Sequence, residues 1–224
     1  MRRFLKENGL SVVFLVLFLA ALAGQAIAGH ASFNEQQMAH GSPEISMSRY
    51  LVSSSFAVDV MENWQSEYLQ FTLFILLTVW LLQRGSPESK EMDMAGGESD
   101  RRQKVGGWAQ RGSPKWARVA GVRRTIYENS LLLVMGAVWL GTWFAQSVAG
   151  RADYNSERLG HHLEPVSWLG YLGRPDFWSR TLQNWQSEFL AVGSMAILAV
   201  YLRQRGSPES KPVGAPHGAT GVEG

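Results

Sequence analysis

LSVVFLVLFLAALAGQAIA, residues Leu10 to Ala28, is a run of 19 residues without a charge. In a helix it spans about 28 Å, close to the hydrocarbon thickness of a bilayer. LLLVMGAVWLGTWFAQSVA, residues Leu131 to Ala149, matches it in length and character. A helix apolar on every side is either a membrane span or the centre of a much larger protein. The rest of this chain has too little apolar sequence to enclose two such helices, so the runs are read as spans.

The two runs belong to a tandem duplication. Asn63-Trp64-Gln65-Ser66-Glu67 returns as Asn184-Trp185-Gln186-Ser187-Glu188, and Arg84-Gly85-Ser86-Pro87-Glu88-Ser89-Lys90 returns as Arg205-Gly206-Ser207-Pro208-Glu209-Ser210-Lys211. Both returns fall 121 residues later, and 34 of 89 positions agree when 2–90 is laid on 123–211 without a gap. The repeat has to be read before the fold. Arg2, Arg3 and Lys6 followed by an apolar stretch ending Ala26-Ile27-Ala28 also resemble a signal peptide. The internal copy at 131–149 argues for a span instead, because it cannot be a leader.

Each unit carries a second, shorter apolar segment. Extending it back to the tryptophan of the repeated motif gives spans of about 64–82 and 185–202. Trp64 and Trp80 then stand about 24 Å apart along the axis, suiting indoles at the two interfaces. The expected architecture is an all-α membrane protein with four transmembrane helices, built as two parallel tandem two-helix repeats. Repeat 1 covers 1–90 with spans 10–28 and 64–82, and repeat 2 covers 123–211 with spans 131–149 and 185–202. Between them, 91–122 reads as a flexible linker, and 212–224 as a disordered tail.

Lys and Arg are concentrated before the first span, in residues 83–130 (ten) and after residue 202, whereas 29–63 holds only Arg49 and 150–184 holds four. The positive-inside rule places the linker and both termini in the cytoplasm. An even number of spans per unit makes the copies parallel. The outer loops are rich in aromatic and apolar residues and are expected to form short interfacial helices.

No cysteine is present, which removes disulfides, thiolate metal sites and cysteine nucleophiles. No HExxH, G-x-S-x-G or phosphate-loop ending occurs, so no catalytic residue, metal ligand or cofactor is assigned and no nucleic-acid partner is expected. The polar residues kept in both copies fall into two layers. The outer one holds Gln25, Glu67, Gln146 and Glu188, with His40 and His161 in the loops above. It reads either as an outward-facing polar pocket or as hydrogen bonding between helices. The inner one holds Glu7, Asn8 and Arg84 with Glu128, Asn129 and Arg205, as helix caps, lipid anchors or ion pairs, Glu7 with Arg84 among them.

Arg-Arg-Phe-Leu-Lys-Glu-Asn-Gly-Leu-Ser at 2–11, Glu-Asn-Trp-Gln-Ser-Glu-Tyr-Leu-Gln at 62–70 and Gln-Arg-Gly-Ser-Pro-Glu-Ser-Lys at 83–90 resemble a group of bacterial membrane proteins classed only as a domain of unknown function. The resemblance implies a bacterial plasma-membrane protein and brings no activity with it. The leading expectation is a non-enzymatic scaffold or partner-binding subunit in the lipid bilayer, acting with a membrane-protein partner or as a homo-oligomer. The alternatives are a small oligomeric transporter or channel using the Glu67/Glu188 layer, and a membrane enzyme acting on lipid or envelope substrates.

Overall fold

The first apolar run lies in a helix much longer than the run itself. In the computed structural model, which describes residues 2–223, helix α1 spans Arg2–Ala39 and α6 spans Ser130–Gly160. Between and after them come α2 (Met47–Leu51), α3 (Ser54–Leu77), α4 (Asp100–Gln103), α5 (Val122–Glu128), α7 (Trp168–Leu172) and α8 (Pro175–Tyr201). Two short 3-10 turns, Gly106–Trp108 and Lys115–Arg118, lie within the linker. Among the described residues there is no strand.

Among the described residues two helices, not four, are long and apolar enough to cross a membrane by length and composition: α1 and α6. The expectation of four spans is corrected to that extent, and the reason lies in α3 and α8. Asn-Trp-Gln-Ser-Glu does not open these helices but sits in their middle. Helix α3 starts at Ser54, where the Ser53 hydroxyl accepts from the Phe56 N–H at 3.2 Å. Helix α8 starts at Pro175, a first-turn position that suits proline because its missing N–H would be unpaired anyway. From their starts to their middles they therefore carry Asp59, Glu62 and Glu67, and Asp176, Arg180 and Glu188. Helix α3 also stops at Leu77, short of the expected 82.

The chain divides into two compact units: Met1–Val60 with Gln146–Trp168, and Met61–Ala145 with Leu169–Gly224. In the first, α1 and the end of α6 continue as helix past the apolar runs, and each is clamped to the segment that follows. The Asn34 carboxamide accepts from the Ile45 N–H at 2.9 Å and donates to the Ile45 carbonyl at 3.0 Å. Asn155 does the same to Val166, at 2.8 and 3.0 Å. His30 meets the Ile45 carbonyl at 2.7 Å, and Arg151, its counterpart, donates to the Val166 carbonyl at 3.1 Å. Tyr50 is buried against His30, Phe33 and Phe56, and a Cβ at Gly29 would overlap its hydroxyl. Burial, then the charges of Asp59 and Asp153, push the Tyr50 phenol above its ordinary range.

In the second unit, an aromatic cluster joins α6 to α8. Trp143 stacks on Trp139 (centroids 5.9 Å apart) and on Phe177 (6.2 Å), and meets Trp178 and Trp185 at 6.3 and 5.6 Å. Such pairs add about 0.5–1.5 kcal/mol each beyond the area they bury.

Candidate functional site

The outer-layer residues divide between the units. Gln25 is half-buried on α1 and Gln146 is buried on α6, both in the first unit. There His40 and His161 face each other edge-on with ring centroids 6.4 Å apart, both exposed, and the His40 Nδ1 lies 2.8 Å from the Gln36 carbonyl. In the second unit Glu67 is exposed and Glu188 accepts from the Ser66 hydroxyl at 3.3 Å. Beside that bond, Trp185 Nε1 donates to Gln65 Oε1 at 2.8 Å, and Arg180 pairs with Glu62 at 3.2 Å. Gln65 and Ser66, both fully buried, thus hold α3 to α8 from within the repeated motif. Among the described residues, no three His, Asp or Glu side chains gather as a metal site would require.

Of the residues expected in the inner layer, Glu7 pairs with Arg3 at 2.7 Å and Glu128 with Arg124 at 3.0 Å, each one helical turn apart. These, rather than Arg84, are the partners the structure gives to Glu7 and Glu128. Asn8 has non-helical angles inside α1, and Asn129 ends α5. Each donates its side-chain amide four residues back, to Phe4 at 3.0 Å and to Thr125 at 2.8 Å. Both asparagines therefore close the short basic helix that precedes the apolar one. Arg84 and Arg205 are exposed.

The Arg-Gly-Ser-Pro-Glu-Ser-Lys segments fold into matching loops. Gly85 and Gly206 take φ of 88° and 82°, a left-handed conformation costly for any residue with a Cβ. The Ser86 N–H donates to the Gln83 carbonyl at 3.1 Å and the Ser207 N–H to that of Gln204 at 3.2 Å. Ser89 and Ser210 hydroxyls accept from the Gln83 and Gln204 N–H groups, both at 2.9 Å. The lysines then turn inward. Lys90 donates to the Gly96 carbonyl at 3.0 Å, and buried Lys211 to those of Pro216, His217 and Ala219 at 3.2, 2.7 and 3.2 Å. The tail, read from sequence as disordered over 212–224, also reaches the first loop. Thr220 accepts from the Gly85 N–H at 2.8 Å, and the Gly221 N–H donates to the Ser86 carbonyl at 3.0 Å.

The Glu88 and Glu209 carboxyls of the two loops stand near each other. Desolvation, then the side chain and the charge of Glu209, push the Glu88 carboxyl up to about 7. Beside Glu88 lies a cavity of about 730 Å³ between α3 and α8. Leu73, Phe74 and Leu77 form one wall, Val192, Gly193 and Ala196 the other, and Ser86, Glu88 and Ser89 the polar end.

The Asn34/Asn155 clamps and the Glu88–Glu209 contact went unassigned from sequence. The signal for the first was present: Asn34 and Asn155 share the 121-residue offset. The contact between two acidic residues had no such signal, because like charges are not expected to meet.

These features define an all-helical protein with, among the described residues, two helices long and apolar enough to cross a membrane and a pair of matching loops. The chain belongs to the family described as a domain of unknown function, DUF6766, whose model matches residues 1–222. No curated protein and no solved structure shows significant similarity to it.

Proposed function

We propose that this chain is an integral protein of the bacterial plasma membrane: α1 and α6 cross it as apolar spans, and α3 and α8, too polar to qualify as spans on their own, make the return crossings packed on each other. They form two parallel two-helix repeats, with both termini and the linker cytoplasmic. Its role is that of a non-enzymatic scaffold or partner-binding subunit. The observation that carries the reading is the state of α1. Leu10 and each residue from Val13 to Leu19 is 42–75% exposed, and no residue of the helix's most apolar window is buried by the chain itself. Each such side chain gains roughly 1.5–3 kcal/mol on leaving water, so a helix bare all round requires a cover. A bilayer supplies one without a dedicated partner.

The scaffold role is supported by what the duplicated polar residues do. Asn34 and Asn155 clamp backbone, Gln65 and Ser66 join α3 to α8, and Ser89 and Ser210 close loops. These repeated residues hold the molecule together. Crosslinking in native membranes followed by identification of what co-purifies tests this role. A defined protein partner or a second copy of the chain is the expected result. Solute flux through the purified protein in liposomes, lost in a Glu67→Gln/Glu188→Gln variant, would overturn it.

A further inference from the structure

We propose that residues 100–127 form a folded basic anchor that docks on anionic phospholipid heads at the membrane face where α6 begins. The inference rests on the membrane reading for the surface it meets. The segment is short but tied together. Asp100 pairs with Arg124 at 3.2 Å, which joins α4 to α5. The turn Gly106–Trp108 packs on the turn Lys115–Arg118, and that turn packs on α5. Val105 and Ala117 are buried within the segment. The Gln110 N–H donates to the Ser113 hydroxyl at 2.8 Å, and Arg118 donates to the Gln110 carbonyl at 3.2 Å, which closes the stretch between the two turns. Asn129 ends α5, and α6 starts at the next residue with its apolar run. The folded segment therefore leads directly into a span.

The partner follows from what this fold leaves outside. Residues 100–127 hold eight Lys and Arg against one acidic residue, Asp100. Arg124 is paired with Asp100 and Glu128, and the other seven cations are exposed. The carboxylates on either side do not cancel them. Glu98 is held on Lys90 at 3.6 Å, and with Glu91, Asp93 and Glu128 included, 90–128 still carries an excess of four positive charges. Among these cations Trp108 and Trp116 are 57% and 47% exposed, with the Arg101 guanidinium 5.5 Å over the Trp108 ring. Val122 and Ile126, one turn apart on α5, are exposed as well. Clustered Lys and Arg beside a span are drawn to anionic lipid heads, and indoles settle at the same level. A nucleic acid would meet the cations and could stack on the indoles, but would leave the aliphatic side chains of α5 in water.

Gly107 stands beside Trp108, and a Cβ there meets nothing within 4 Å, so a fluorophore on Gly107→Cys displaces no neighbour. The chain has no cysteine of its own, which makes the label unique. The full chain is placed in nanodiscs, which expose both membrane faces. Quenching by a spin label carried just below the lipid heads is then measured. Strong quenching is expected where phosphatidylglycerol is mixed into phosphatidylcholine, and little in phosphatidylcholine alone. Salt should release the segment, since the screening length falls from about 10 Å at 0.1 M to about 3 Å at 1 M. Arg111, Lys115 and Arg123 are exposed and lie outside the bonds that close the segment. Changing any one to Gln should lower the ratio of docked to free segment about fivefold, and changing all three should release it. Arg111→Lys with Arg123→Lys keeps the charge and should stay docked. Quenching that ignores phosphatidylglycerol, or survives the triple Gln variant, overturns the proposal. Duplex DNA that shifts the label's emission in neutral discs, with no quenching in anionic ones, assigns the surface to nucleic acid and overturns the lipid partner. Alkaline carbonate extraction of native membranes reads the membrane placement separately: release of the chain sinks that reading, while a retained chain with an undocked label sinks only the anchor.

Discussion

At Asn34 one side chain satisfies both polar groups of a distant peptide, and Asn155 repeats the arrangement. Leaving a buried backbone donor or acceptor unpaired costs about 1–3 kcal/mol. Asn34→Ala and Asn155→Ala should each lower stability by roughly that amount in a thermal melt, and Asn34→Asp, which keeps the acceptor, should cost less than Asn34→Ala. Equal melts for all three would show that the clamp contributes nothing. Glu88 supplies a prediction in pH. Its carboxyl is raised from 4.5 to about 7, so the folded state binds its proton more tightly than the unfolded chain does. The stability this gives is fully present below 4.5 and lost as pH rises through 7. Protection of the loops should therefore weaken as pH rises through about 7, read by proteolysis or amide exchange over 83–90 and 204–211. Glu88→Gln should flatten that dependence, and a wild-type profile that is already flat contradicts the assignment.

Among the elements, the junction of α6 with α8 turns on Trp143, which meets four other aromatic rings. Its indole N–H and that of Trp139 are buried with no hydrogen-bond partner. Trp143→Ala should cost about 3–5 kcal/mol in a thermal or denaturant melt. Trp143→Phe keeps most of the ring contact and removes an unpaired donor, so its cost should be far smaller. Similar losses for both would mean that the cluster contributes little. The elements also show what sequence carries and what it does not. The apolar runs at 10–28 and 131–149 announced two helices, because uniform hydrophobicity is a local property. The extension of those helices to Ala39 and Gly160 was hidden, because past residues 28 and 149 the sequence turns polar and carries no stop. Placing Asn-Trp-Gln-Ser-Glu at the start of a helix relied on hydropathy. The true starts were written in Ser53 and Pro175, which are capping signals rather than hydropathic ones.

For the whole molecule, the duplication made the matching loops legible as a pair but not as a contact, since a repeat fixes equivalence and says nothing of proximity. The meeting of Glu88 and Glu209 depends on how the loops fold, as does the cavity beside them. The proposed topology has two parallel repeats, with the ends of α1 and α6 outside and the linker and tail inside. A chain with no cysteine is suited to single-cysteine labelling, because there is no background to remove. Glu35→Cys and Ser156→Cys lie at exposed, equivalent positions, while Arg111→Cys and Gly214→Cys report on the linker and tail. In intact cells a membrane-impermeant maleimide should label positions 35 and 156, and should reach 111 and 214 only after permeabilisation. Labelling of 35 and 156 from opposite sides, or of 111 together with 35 in intact cells, would contradict the account.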